Sequence, residues 1–500
     1  MEQRVSRRSR RQAHFKRLER FGKFLSIIQA IVSAFLIVML LRANLLPTKI
    51  LIVMIVLLVV LFILTRLMMS SGRKKGRFTA GVVISIIVLV ISLLLSGYLL
   101  KATNTLHKIS NVEYETTVMG VYVLDEDPAQ TIEDAKDYTF GYAEKLNVDE
   151  TKSAIDQIND DVKQEIETTP CDSAQDVAEQ LLNGECQAII MTESFVEMLG
   201  DSEEYEDFDE QVRLIATYEY KTEVEKEEKD TPSDIFTMYI SGIDTYGGIS
   251  TKSRSDVNIL ATVNTNTGEV LLVTTPRDYY VPLSISNGEK DKLTHAGIYG
   301  IDVSVDTMEM IYDTDIDYYF RVNFSGFEQL IDALGGIDVY SDYEFDPEFG
   351  DHVNKGMNHM NGEQALGFAR ERHAFAEGDR QRGKDQMIVI AAVIDKMQSS
   401  AVLRDFNGLM DGLEGTFETD MPYSVMSSIV KKQLSEGTKY HTSSFSVDGT
   451  GTRATTYSMN QSLYVMEPDQ ASIDEAKSLI EAVKNGKILD IDDESDDSEE

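Results

Sequence analysis

The sequence predicts an α/β protein on a membrane anchor. Three N-terminal transmembrane helices lead into a small α/β accessory domain and then a larger α/β domain of α-β-α sandwich type. Three observations carry this reading. Uncharged apolar runs recur within the first 100 residues, the sign of the charge reverses after them, and strand-like and helix-like segments then alternate almost to the C-terminus.

The apolar runs are Phe24–Leu41, Ile50–Leu64 and Phe78–Leu100. A spanning helix needs about 20 apolar residues. The second run is short, but Lys49 and Arg66 can snorkel from its ends. Two further runs close behind the first argue against a cleaved signal peptide. Residues 1–100 carry 16 basic and 2 acidic side chains, a net +14, whereas the whole chain carries -37. Residues 1–23 and the loop RLMMSSGRKKGR are cationic, and the loop RANLLPTK is nearly bare. Positive-inside placement predicts a multi-pass cell-membrane protein with a cytoplasmic N-terminus, the C-terminal domains being extracellular. Anionic inner-leaflet lipid accounts for the basic N-terminus better than nucleic acid does.

Beyond the helices (24–100), residues 101–110 read as a stalk. Residues 111–222 form the accessory domain, with strand-like Thr117–Leu124, Gln187–Met191 and Val212–Tyr218 and helix-like Ile132–Leu146, Ser153–Glu167 and Ala174–Leu182. It holds no catalytic motif. Its two cysteines, Cys171 and Cys186, leave a disulfide open. The stretch KTEVEKEEKDTPSD (221–234) is a linker.

The larger domain spans 232–485. Ile235–Ser241 reads as a strand, and Asp256–Asn264 and Val270–Thr275 flank TNTGE as a hairpin. Ser304–Ile311, Phe324–Leu334, Gln386–Met397 and Ser472–Val483 read as helices, and Ile337–Tyr340 as a strand. Residues 486–500 are an acidic, disordered tail.

Charge gathers where strands of this domain end. Asp244 follows the first strand. Arg254 and Asp256 begin the second, two apart and so on one face. Arg277 and Asp278 follow the third. A later stretch, ARERHAFAEGDRQRGKDQ (369–386), adds Arg370 and Arg372, read as an extended pair, and Asp379, Arg382 and Gln386, which share a helical face. Arg380 and Lys384 fall elsewhere on that helix. The interleaved acids read as partners that orient the arginines. Arginines converging on aspartates fit a phosphate ligand, because a guanidinium grips phosphate oxygens bidentately and keeps its charge. The aspartates suit Mg2+ (or Mn2+). A structural salt-bridge network fits the same residues. Phosphate-loop and dinucleotide fingerprints are absent, and the seven histidines are scattered.

SGIDTYG, RSDVNILATVN, TTPRDYYV, DKLTHAGIYG, DYYFRVNFSGFEQLIDALGGIDV, NGEQALGFARERHAF and GDRQRGKDQ occur in the order and spacing of the LytR-CpsA-Psr family. The resemblance covers 232–400. The membrane helices and accessory domain make the chain resemble the capsule-locus CpsA/Wzg branch. The resemblance implies an envelope phosphotransferase of Gram-positive bacteria. Such enzymes move a glycopolymer, capsular or teichoic-acid-like, from undecaprenyl-pyrophosphate to peptidoglycan through a phosphodiester. It implies Asp244 and Asp256 as Mg2+ ligands. It also implies Arg254, Arg277, Arg370, Arg372, Arg382 and Gln386 around the pyrophosphate, with Lys292 a weaker member and Asp379 an acid of the motif. Asp244, Asp256, Arg277 and Asp379 form the expected catalytic set. Lys384-Asp385 departs from the family pattern and stays unassigned. Val322, Phe324, Phe327, Leu330, Ile331 and Leu334 are candidate walls for the lipid tail. Expected partners are the lipid-linked glycan, peptidoglycan, the plasma membrane and capsule assembly proteins. A lipid pyrophosphatase and a non-enzymatic regulator of envelope biosynthesis are the alternatives.

Overall fold

Helix formation is costly to start and cheap to extend, and the apolar runs start three long helices, Glu2–Ala43, Thr48–Met68 and Lys75–Ile109. The computed structural model describes residues 2–489 apart from 71–73, 111, 113, 201, 203, 225–232, 244–247, 377, 400–405, 414 and 460. Asp244, the middle of the linker and residues 490–500 of the acidic tail therefore lie outside the described residues.

The chain divides into two compact units. The first comprises Met1–Lys108, Asp230–Pro232 and Pro422–Thr438. Its three helices are long and apolar enough to cross a membrane. The expected stalk at 101–110 is instead the end of the third helix, which runs unbroken to Ile109. One buried glutamine ties the helices together: Gln29 Oε1 accepts from Thr65 Oγ1 at 2.9 Å and Ser85 Oγ at 2.7 Å. Such polar contacts hold helices where apolar surface gives little preference for a neighbour over lipid. A later helix, Tyr423–Glu436, belongs to the same unit. Its Tyr423 hydroxyl donates to Ala43 O at 2.7 Å, and its ring stacks on His107.

The second unit comprises Ile109–Lys229, Ser233–Met421 and Lys439–Glu500. Its accessory part is a five-stranded sheet in the spatial order Glu167–Cys171, Thr139–Ala143, Ala188–Thr192, Tyr114–Leu124, Val212–Glu223. Helices Val148–Val162, Ala174–Leu182 and Glu193–Gly200 pack on it. The expected helix Ile132–Leu146 is instead a set of turns followed by the strand Thr139–Ala143. The strand is flanked by a neighbour on each edge and its Phe140 is fully buried, a placement that local periodicity does not reveal. Cys171 and Cys186 are buried free thiols in one core cluster.

The larger part is built on a six-stranded mixed sheet in the order Phe417–Thr419, Tyr318–Asn323, Ile235–Ile243, Ser255–Asn264, Glu269–Thr274, His441–Ser446. The expected hairpin is its centre, with Ile259 opposite Thr274. One face buries Tyr239, Leu260 and Leu271 against helices Ile301–Tyr312 and Gln470–Lys484. The other buries Ile259, Ala261 and Leu272 against Met387 of the helix Asp379–Met397. The result is an α-β-α sandwich. Central strands are therefore largely apolar on both faces, and the charged residues of the hairpin, Asp256 and Glu269, stand at strand ends.

Candidate functional site

The site forms at those ends. Arg254 precedes the strand Ser255–Asn264 and Asp256 is its second residue. Arg277 follows Glu269–Thr274. The helix Asp379–Met397 crosses beside Thr274 through Gly383, where an added Cβ would stand 3.1 Å from Thr274 Oγ1. This close approach brings Asp379, Arg382 and Gln386 to the strand ends. Thr294 fixes the neighbouring segment: its N–H donates to Arg277 O at 2.9 Å and its Oγ1 to Asp256 Oδ1 at 3.0 Å.

Two cavities meet there. The larger, about 370 Å³, has apolar walls that include Ile240, Phe327, Leu330, Val389, Ile390 and Phe417. Arg254, Asp256, Arg277, Arg370, Arg372, Arg382 and Gln386 also line it. The smaller, about 170 Å³, is polar and shares Asp256, Arg277, Arg382 and Gln386, adding Asp379. Seven of the predicted residues thus surround one apolar channel, and four of them also line the polar cleft beside it. Of the proposed wall residues, Val322, Phe324, Phe327 and Leu330 line the channel. Ile331 and Leu334 do not; both are buried, with Ile331 in the adjoining core.

The electrostatics separate the two acids. Burial would raise the Asp256 carboxyl. Arg277, Arg254 and Arg382, with the Thr294 hydroxyl, outweigh it and hold the group at about 2. Asp256 forms an ion pair with Arg277. Asp379 pairs with Arg382, yet its carboxyl is pushed up. Burial is the main cause, and the neighbouring Asp278 and Asp256 add to it against Arg382 and Arg277. Carboxylates crowded in this way favour a cation. No group of three or more His, Cys, Asp or Glu side chains that could hold a metal occurs among the described residues. Asp256 and Asp379 line the polar cleft, and Mg2+ takes one or two carboxylates and completes its shell with ligand phosphates and water.

Several placements differ from the expectations. Arg370 and Arg372 are not an extended pair: Arg370 ends the helix Gly362–Arg370, and the chain extends only from Glu371. The Arg370 guanidinium lies over Phe324, 4.0 Å from the ring centroid, and also faces Phe349. Glu371 orients no arginine. Its buried carboxylate accepts from the N–H groups of Glu348, His373 and Ala374 and pins the loop. Burial would raise its pKa, but these backbone donors bring it below the usual value. Asp385 likewise accepts from Gln381 at 2.9 Å and not from an arginine. Among the described acids of this stretch, Asp379 has the expected arginine partner; Glu377 lies outside the described residues. Arg380 and Lys384, set aside by helical spacing, both line the polar cleft, and Arg380 pairs with Asp448. Lys292 lines neither cavity; its Nζ lies 3.1 Å from Asp278 Oδ1.

Sequence reasoning missed Thr275, Pro276 and Ser446, Val447 and Asp448 in the polar cleft. Their place at the ends of adjacent parallel strands was the available signal. It missed Glu197 altogether, a residue of the accessory domain whose Oε2 lies 2.9 Å from Arg254 Nη2.

The fold and site together define an α/β sandwich with an arginine-lined channel at its strand ends, in a chain whose described residues include three helices long and apolar enough to cross a membrane. The family model described as the LytR_cpsA_psr family matches residues 206–481, more than half of the chain, and the chain belongs to that family. A model described as DNA polymerase processivity factor matches residues 74–191, a smaller stretch that joins the third apolar helix to part of the accessory domain. A Bacillus cereus protein called polyisoprenyl-teichoic acid–peptidoglycan teichoic acid transferase TagU is 34% identical over 205 residues, 41% of this chain and 66% of that protein. The chain thus spans just under two thirds of that relative. The Bacillus subtilis protein of the same name is 31% identical over 261 residues, covering 52% of this chain and 82% of that one. The crystal structure of B. subtilis TagU is matched over 51% of this chain and 100% of that chain, at 27% identity and a TM-score of 0.40.

Proposed function

We propose that the chain transfers a glycopolymer from a polyprenyl-pyrophosphate carrier to peptidoglycan and leaves a phosphodiester link. The observation that carries this is the junction of the two cavities. An apolar channel suits a polyprenyl tail, and the arginines at its mouth suit the diphosphate. The names borne by the Bacillus relatives support the donor and acceptor classes. Undecaprenol as the carrier, a capsular polysaccharide as the cargo and an extracellular site are the finer parts of the proposal.

Phosphoryl transfer is mainly positioning and charge stabilisation. An acceptor hydroxyl attacks the sugar-bearing phosphorus, forming a new P–O bond. The bridging P–O bond breaks and the lipid phosphate departs with the electron pair. Arg277 and Arg382, joined by Arg254, Arg370 and Arg372, bear the charge that develops on the diphosphate. The hydroxyl proton goes to a base. Asp256 is a weak one because its arginine neighbours hold it ionised at about 2. Asp379, pushed upward, is the better acceptor. Magnesium, held by Asp256 with the expected Asp244, would supply further charge neutralisation.

The test incubates the purified full chain with lipid-linked polymer, with and without peptidoglycan. Polymer on peptidoglycan, lost in Arg277→Ala and Asp256→Ala variants that still fold, supports the proposal. Free polymer phosphate formed equally with or without peptidoglycan would instead identify a pyrophosphatase.

A further inference from the structure

The segment carrying Arg254 and Asp256 is not held by its own domain alone. Residues 250–252 lie against the first accessory strand, Tyr114–Leu124, in a parallel bridge between Thr116 and Thr251. Thr116 N donates to Ser250 O at 2.8 Å, and Lys252 N donates to Thr116 O at 2.9 Å. Beside this bridge, Glu115 accepts from buried Arg321 Nη2 at 2.7 Å and from Ile301 N at 3.1 Å. Two residues on, Glu197 meets the Arg254 guanidinium.

The helix that carries Glu197 is packed into the core, and the Glu197 side chain at its surface is 35% exposed. Its helix, Glu193–Gly200, buries Phe195, Val196, Met198 and Leu199. The core cluster they join also contains Ile298, Met459 and Leu463 of the larger domain. The Arg254 backbone is equally constrained from the other side. A Cβ on Gly297 would stand 2.4 Å from Ser253 O and 3.0 Å from Ser255 N, so the two segments are in contact. A long, flexible arginine is thus fixed at its backbone by Gly297 and at its tip by a carboxylate from another domain. Its side chain is only 10% exposed.

We infer that the accessory domain completes the anion site, with Glu197 acting as a positioning residue that presets Arg254 for the lipid diphosphate. This rests on the proposed reading of the channel. A preset guanidinium loses less side-chain freedom when an anion arrives. Docking of the accessory domain and occupancy of the site are then linked, and the linkage is reciprocal.

The test is a double-mutant cycle on the full chain in detergent micelles, read as affinity for farnesyl diphosphate and, as a control, farnesol. The variants are Glu197→Gln, Arg254→Ala and the double mutant; Glu197→Gln keeps the volume and removes the charge. Presetting one rotamer-rich side chain supports a roughly two- to tenfold loss of diphosphate affinity in Glu197→Gln. The double mutant should match Arg254→Ala, and farnesol affinity should be the same in all four proteins. Additive losses, an unchanged or tighter Glu197→Gln, or a parallel loss of farnesol binding would overturn the positioning role. A wild-type protein that does not bind farnesyl diphosphate would instead overturn the underlying reading of the channel.

Discussion

Replacing Asp385 with asparagine should remove a loss of stability that the protein suffers as pH rises from about 4 to about 7. Asp385 lies in the helix Asp379–Met397 and is 3% exposed. Gln381 donates to its Oδ1, while its Oδ2 has no hydrogen-bond partner. Burial pushes its carboxyl from 3.8 to about 7, opposed by Gln381 and Lys384 and reinforced by Asp342 and Glu371. The folded form therefore holds its proton more tightly than the unfolded form. Stability is full below the unfolded value and is lost as pH rises through the folded one, from about 4 to about 7. A displacement of about three units at about 1.4 kcal/mol each amounts to roughly 4 kcal/mol above pH 7. Asparagine keeps the carbonyl for Gln381 and cannot ionise. The Asp385→Asn and wild-type melting temperatures should coincide near pH 4 and separate by several degrees at pH 8, with the variant higher. The chain has no tryptophan, so calorimetry or circular dichroism is the suitable probe. A gap that does not change between pH 4 and pH 8, or a wild type that melts higher at pH 8, would refute the reasoning.

Other expectations follow from the same contacts. Glu371→Gln leaves one oxygen where two now accept three backbone N–H groups. It should cost about 1–3 kcal/mol and speed amide exchange at His373 and Ala374, measured by mass spectrometry. Gly297→Ala forces a Cβ against backbone at 2.4 Å. It should cost about 1–3 kcal/mol of stability and weaken farnesyl diphosphate binding, because the moved backbone carries Arg254. Val393→Trp fills part of the apolar channel; it should weaken farnesyl diphosphate binding and leave inorganic pyrophosphate affinity unchanged in the same titration.

The fold was largely legible where one physical signal dominates. Uncharged runs specify the membrane helices, and TNTGE between two apolar stretches specifies the central hairpin. The failures have tertiary causes. Thr139–Ala143 becomes a strand because neighbours on both sides complete its hydrogen bonding. Arg370 ends a helix whose exit is set by Glu371 binding a backbone N–H at Glu348, distant in sequence. Spacing placed Asp379, Arg382 and Gln386 on one face. It discarded Arg380 and Lys384 because it assumed a single wall, whereas the helix start lies between the ends of two strands and both sides of it face the cleft. Glu197 could not be read at all, since only the packing of one domain on another brings it to Arg254.

The most direct test of the central claim is native mass spectrometry of the full chain extracted gently from its own membrane. The account predicts a co-purifying polyprenyl diphosphate, with or without glycan, that is lost in Arg277→Ala. A wild-type protein carrying only phospholipid, or a polyprenyl diphosphate retained undiminished by Arg277→Ala, would contradict it.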